Sequence, residues 1–163
     1  MRLLALSLLV LSHTTLAKPS KVARHKFLIN APEGWDVTQK EEDADPIKLA
    51  ITSKDKTANV TVMVVTISNH ESAASILNAT DARRKMPKDL GNEKTKIAKE
   101  LLTKIGADDG IFGRYAQDEV LQRAMVVTKD RRAYVIVGAY RKSKDQELSK
   151  VIDASMHSFR ITQ

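Results

Sequence analysis

The side chains able to do metal or nucleophilic chemistry are few and far apart in this chain. Beyond the first residues its histidines are His25, His70 and His157. None shares the H-x-x-x-H or H-E-x-x-H spacing that puts two imidazoles on one helix face. Cysteine is absent, which removes thiolate zinc ligands, thiol nucleophiles and disulfides together. Two acidic stretches, Glu41 to Asp45 and Asp108-Asp109, lack the D-x-D-x-D-G order of a dedicated calcium loop and read as solvated loops. No G-x-S-x-G elbow occurs, and the 6 glycines are dispersed rather than gathered into a phosphate loop. A triad can assemble from distant residues, so a small hydrolase with a non-sequential site stays open as an alternative. From residue types and spacing we expect no catalytic group, no metal ligand and no cofactor.

Charge is the more informative feature. The formal net charge is +7, and most of it lies between Arg83 and Lys104. Arg83, Arg84, Lys85, Lys88, Lys94, Lys96 and Lys99 form a candidate anion-binding patch there, with only Asp89, Glu93 and Glu100 against them. Such a segment favours anionic partners: acidic polysaccharide, lipid head groups or an acidic protein. The competing reading is that these lysines solvate exposed helix faces. Nucleic acid is disfavoured, because no aromatic residues are interleaved for base stacking. Trp35, Tyr115, Tyr134 and Tyr140 could line a groove, but aromatic side chains more often fill a core, and core is expected here.

The elements that must position these residues begin after a leader. Arg2 is followed by the apolar run Leu3 to Leu11, and Thr15 and Ala17 supply small residues at −3 and −1 of a cleavage point before Lys18. That apolar run is about half the ~20 residues a spanning helix needs. Residues 1–17 are therefore expected to be a cleaved signal peptide, with an exported product, periplasmic or secreted, that keeps no transmembrane segment. Export also argues against nucleic acid as a partner. Residues 18–24 read as a flexible tail, and 25–163 as one domain.

Within that domain, His25 to Asn30 is a short strand, Pro32 to Gly34 a turn, and Trp35 to Thr38 a second extended piece. Ile47 to Thr52 alternates apolar and polar, as a half-buried strand does. Asn59 to Ile67 is β-branched and apolar on both faces, which belongs in a sheet interior. Ser72 can cap a helix to about Lys85 that Pro87 ends, and Glu93 to Ile105 reads as a second helix stopped by Gly106. Ile111 to Tyr115 is a strand. Val120 to Thr128 and Ala133 to Tyr140 form a hairpin around the polar loop Lys129 to Arg132, and Asp145 to Phe159 is an amphipathic helix. Hairpins dominate the order, which gives an α+β class with a mainly antiparallel sheet and helices packed on it. Two sequons, Asn59-Val60-Thr61 and Asn78-Ala79-Thr80, matter only in a eukaryotic secretory pathway; Asn59 opens an interior strand, a poor place for a glycan.

The run Phe27-Leu28-Ile29 followed by Pro32-Glu33-Gly34-Trp35 resembles the F-x-I-x-x-P-x-G-W opening of PsbP-like proteins. The later order of long strand, helices, hairpin and closing helix ending in Ser158-Phe159-Arg160 is similar to that family as well. Its members are relatives of the extrinsic lumenal protein of photosystem II and share a fold with a Ran-binding nuclear import factor. The resemblance implies an antiparallel sheet sandwiched between helices, and an exported bacterial-type member acting as an accessory or binding module. The lipid-attachment cysteine of the cyanobacterial photosystem form is missing, and neither the photosystem role nor Ran binding is carried over. The function expected is a non-enzymatic extracytoplasmic binding or accessory protein whose partner is a protein or an anionic envelope component. A purely structural envelope or secreted protein is the other alternative.

Overall fold

The computed structural model describes residues 16–40, 42, 44–68, 71–83 and 93–163. Arg84, Lys85 and Lys88 of the expected patch, the end of the first helix at Pro87, and His70 lie outside them.

The strands are β1 (Leu16–Val22), β2 (Phe27–Pro32), β3 (Asp36–Gln39), β4 (Ile47–Thr52), β5 (Ala58–Thr66), β6 (Glu93–Lys96), β7 (Asp109–Gln117), β8 (Val120–Lys129), β9 (Arg132–Arg141) and β10 (Arg160–Ile161). The helices are α1 (Ala73–Arg83), α2 (Lys99–Ile105) and α3 (Asp145–His157). Seven strands make one sheet in the order β3-β4-β5-β9-β8-β7-β6, and β1-β2-β10 make a small second sheet. Every pairing is antiparallel. This is the α+β architecture the element order implies.

Alternation along the strands gives the large sheet two buried faces. On one, Leu49, Ile51, Val60, Val62, Met125, Val127, Tyr134 and Ile136 meet Leu148, Ile152 and Met156 of α3, Ile105 of α2, and Phe27 and Ile29 of β2. On the other, Ala124, Val126, Val135 and Val137 meet Ala73 and Leu77 of α1. This is why β8 and β9 read as continuous apolar runs: both of their faces are covered. Phe27, Tyr134 and Phe159 form an aromatic cluster, with ring centroids 5.6 to 6.1 Å apart, that pins the small sheet to the large one.

Glycine at 138 fixes how close α3 lies. A Cβ there would stand 2.4 Å from Ile152 Cγ2 and 3.0 Å from Met156 Sδ. Gly110 does the same for the segment leading into α2, where a Cβ would meet Leu102 Cδ2 at 2.8 Å and Ile97 Cδ1 at 2.9 Å.

Three elements differ from the sequence reading. Residues 18–24, read as a tail, supply most of β1, because Val22 buries its side chain (5 % exposed) and Pro19 is tolerated on an edge strand. The ladder runs from Leu16 opposite Pro32 to Val22 opposite Phe27, with a register shift before Pro19. Glu93 to Ile105, read as one helix, is β6 followed by α2. The Ile97 N–H donates to Gly110 O (3.1 Å) and Ala98 is extended, so pairing with β7 outweighs the helical spacing of Ile97, Leu101 and Ile105. The Lys129 to Arg132 loop is a two-residue turn in which Asp130 (φ 47°) and Arg131 (φ 61°) are both left-handed, as a tight antiparallel hairpin requires.

α1 is held at its start by two acceptors. Ser72 Oγ takes the Ser75 N–H at 3.2 Å, and the Asp109 carboxylate from β7 takes the Ala73 N–H at 2.9 Å. Among the described residues, no helix is long and apolar enough to cross a membrane.

Candidate functional site

Arg83, Lys94, Lys96 and Lys99 of the expected patch fall among the described residues. Arg83 is the last residue of α1. Lys94 is committed to α1: its ammonium donates to Asn78 Oδ1 (2.7 Å) and pairs with Asp81 Oδ2 (2.9 Å). The Tyr115 hydroxyl donates to that same oxygen at 2.9 Å. Lys94 is thus a latch between an edge strand and a helix. Lys96 and Lys99 are exposed, and neither has an ion-pair partner among the described residues.

Lys96 leads to a different feature. A pocket of about 350 Å³ lies beside β6, between α2 and α3, within the range of small-molecule sites. Its depth follows from burial: Met125 is fully buried, Ile97, Leu101 and Phe112 are half-buried, and apart from Ala98 the remaining lining is polar. The strand register explains the floor. Phe112 of β7 is paired with Met125 of β8, and Arg114 with Arg123, all on the face that α3 covers. The short α2, starting only at Lys99, leaves that end of the sheet without a full-length helix.

The polar lip consists of Thr95, Arg114, Asp153 and His157; Lys96 also borders the pocket, but the ladder sets it opposite Ile111, on the face that α1 covers. The Arg114 guanidinium lies over the Phe112 ring, 5.9 Å from its centroid, and the His157 ring is 6.4 Å from the same centroid. Asp153 is matched by Arg123, which also donates to Ser149 O (3.2 Å) and lies 5.7 Å from the Tyr140 ring centre. Beneath this, the Tyr140 hydroxyl donates to Asp145 (2.7 Å); burial, with that hydrogen bond second, pushes its pKa up to about 12.

Other cavities offer less. One of about 620 Å³ is lined by Lys26, Lys129, Asp130 and Arg132, but Lys129 is already held by Asp108 at 2.7 Å. Trp35 is half-buried against the core and edges a cavity of about 400 Å³ with Lys54, Asp55 and Glu147. Tyr115, Tyr134 and Tyr140 are core residues, at 3 % exposure or less. The acidic stretches serve as structure: Asp45 pairs with Lys40 (2.7 Å) and takes the Ile47 N–H (2.9 Å), while buried Lys48 donates to the carbonyls of Glu42 and Asp45. Among the described residues, no three His, Asp or Glu side chains come together to hold a metal.

Two sequence features read differently in three dimensions. Ser53 and Lys56 have the S-x-x-K spacing of serine hydrolases with a lysine base, which the sequence reading wrongly takes to be absent. Here they sit in the β4–β5 turn, where Ser53 Oγ donates to Asp55 (2.8 Å) and accepts the Ala58 N–H (3.0 Å). Asn59 stands in a strand flanked on both sides, as expected, yet it is exposed, as is Asn78. Of the pocket residues, only Lys96 belongs to the expected site. The signal for the others was the alternation of Phe112 and Arg114 on β7, which places an aromatic floor and a cation on one face.

No family model matches the sequence, and no curated protein does either. Solved structures do. Cyanobacterial PsbP from Synechocystis sp. PCC 6803 superposes with a TM-score of 0.64 at 10% identity, over 93% of this chain and 95% of that one. LpqN of Mycobacterium tuberculosis, described as involved in cell envelope biogenesis, gives 0.50 at 13% identity, over 93% and 91%. At these identities the likeness concerns the backbone, and over nearly the whole chain that backbone is the PsbP-like fold.

Proposed function

We propose that this chain is an exported, non-enzymatic binding protein, periplasmic or secreted, whose ligand enters the pocket between α2, α3 and the β6 edge of the sheet. One observation carries the reading: apolar burial deepens from the half-buried Ile97, Leu101 and Phe112 to the fully buried Met125, beneath a polar lip. That combination fixes a ligand's body by desolvation and its orientation by a few polar groups. The leader pattern of residues 1–17 supports export. The PsbP-like backbone supports an accessory or binding role rather than a particular partner.

The test is a small-molecule library read by methyl NMR on the purified protein. Ligands that shift the methyls of Ile97, Leu101 and Met125 together, and that Ala98→Trp excludes, support the reading. If no member of the library moves those methyls, the pocket is a packing defect and the reading fails. Turnover of an ester or phosphoester panel by the same preparation, lost on substitution of a pocket residue, would instead make the protein a hydrolase.

A further inference from the structure

We infer that the outer edge of β6 pairs with an extended acidic segment of another protein, which lays one apolar side chain into the pocket. Only the placement of that side chain rests on the pocket reading. β6 is the last strand of its sheet, and among the described residues no backbone group bonds to its outer side. At the other end of the sheet β3 is bridged to β1, where the Gln39 amide donates to Lys21 O at 3.4 Å.

The register shows which backbone groups face outward. Lys96 stands opposite Ile111, and the next N–H, that of Ile97, donates to Gly110 O at 3.1 Å. Antiparallel pairs alternate between hydrogen-bonded and non-hydrogen-bonded. Thr95 and Ile97 therefore bond inward to β7, while Lys94 and Lys96 turn their N–H and C=O groups away from it. A strand laid antiparallel on that edge bonds to these two residues. Side chains directly opposite share a face. The one opposite Lys96 lies on the α1 face beside that ammonium. The next lies opposite Thr95 on the α3 face, where Thr95, Phe112 and Met125 form one row across the sheet.

Charge selects the partner. Lys94 is held by Asp81 and Asn78. Lys96 is exposed and has no ion-pair partner among the described residues. An acidic residue opposite Lys96 completes a cross-strand pair. An apolar residue directly after it stands beside Thr95, diagonal to Ile97, at a pocket of about 350 Å³ with room for one large side chain. A second copy of the chain fits badly. Every antiparallel register that joins the outward residues of two β6 strands sets lysine against lysine.

The experiment titrates capped peptides, alternating threonine and valine around a central glutamate-leucine step, into the purified protein under amide and methyl NMR. The Lys94 and Lys96 amides should shift and gain protection from exchange, and the Ile97 and Leu101 methyls should move with them. Lysine in place of the peptide's glutamate should weaken binding about fivefold, the size expected of one exposed cross-strand charge pair. Lys96→Glu should invert that preference. N-methylation of the glutamate removes the N–H aimed at Lys96 O and should abolish binding, whereas N-methylation of the leucine, whose N–H points away, should be tolerated. Lys96 protection that survives methylation of the glutamate, or a glutamate preference that ignores Lys96→Glu, overturns the inference. Concentration-dependent protection of Lys96 without peptide also overturns it, because the occupant is then a second copy. Peptides that leave both amides unmoved, while small molecules still shift the pocket methyls, overturn the edge and spare the pocket reading. Silence from peptides and library together overturns both.

Discussion

Gly138→Ala tests whether the contact between α3 and the sheet is as tight as the geometry says. The added Cβ would fall 2.4 Å from Ile152 Cγ2 and 3.0 Å from Met156 Sδ, where ordinary carbon contacts begin near ~3.5 Å. Met156 can swing its thioether aside, since it has three rotatable bonds. Ile152 cannot, because a β-branched side chain in a helix has one strongly preferred χ1. Relief then requires α3 to move away from the sheet, which opens the packing of Leu148 and Met156 on either side of Ile152. Overpacking of this kind costs about 1–3 kcal/mol, and with a fully buried isoleucine on a rigid helix the upper end applies. For a chain of this size that lowers Tm by about 6–12 °C, at ~2–4 °C per kcal/mol.

Calorimetry and urea unfolding would measure it, with Ile152→Ala as partner. The single Ile152→Ala change leaves a cavity worth ~2–5 kcal/mol. The Gly138→Ala/Ile152→Ala double mutant should be less destabilised than the sum by more than ~1 kcal/mol, because the new methyl enters the vacated space. Additive penalties, or a neutral Gly138→Ala, would refute the packing argument.

Three further outcomes follow from the hydrogen bonds and ion pairs. Tyr140 holds its proton to about pH 12 when folded, against 10.0 when unfolded. Stability from this group is complete below pH 10 and is lost as pH rises toward 12, so the alkaline fall in Tm should be shallower in Tyr140→Phe. Asp55, which accepts from Ser53 and Thr57 in the β4–β5 turn, has its pKa lowered to about 2 by the Ser53 hydroxyl first and by Thr57 next. Its contribution is present above pH 3.8 and disappears as pH falls through 2, and a carboxyl NMR titration reading near 3.8 would contradict it. Asp109→Ala removes the carboxylate that accepts the Ala73 N–H; it should cost about 1 kcal/mol, and Asp109→Asn, which keeps an oxygen acceptor, should recover most of it.

The fold was largely legible because its strongest elements carry period-two or all-apolar patterns with no competing signal. Ile47 to Thr52 and Asp145 onward fell where expected, and β5, β8 and β9 shifted by a residue or so. What misled was a helical column, Ile97, Leu101 and Ile105, that three dimensions use differently. Ile97 contributes its side chain from just past β6, where its N–H bonds to Gly110 O of β7, and only Leu101 and Ile105 do so from a helix. β1 was missed because Leu16 and Ala17 were read as part of the leader and Val22 is the one large apolar residue in the remainder, and its pairing depends on a strand five residues downstream. The site was legible only at one residue. Lys96 stood out by charge, but the pocket beside it is made by a ladder between distant strands, Thr95 opposite Phe112 and Phe112 opposite Met125, which charge counting cannot see.

The arrangement of the small sheet bears on how the protein meets mechanical load. β1 and β10 flank β2 and both run antiparallel to it, β1 beginning opposite Pro32 and β10 ending beside Phe27. Tension applied through the two termini therefore drags the outer strands lengthwise along β2 in opposite senses. All their rungs are strained together instead of parting one at a time. A body tethered at one end and tugged at the other would resist as a unit and then give way abruptly, with the helix-covered sheet and its pocket shielded until that moment.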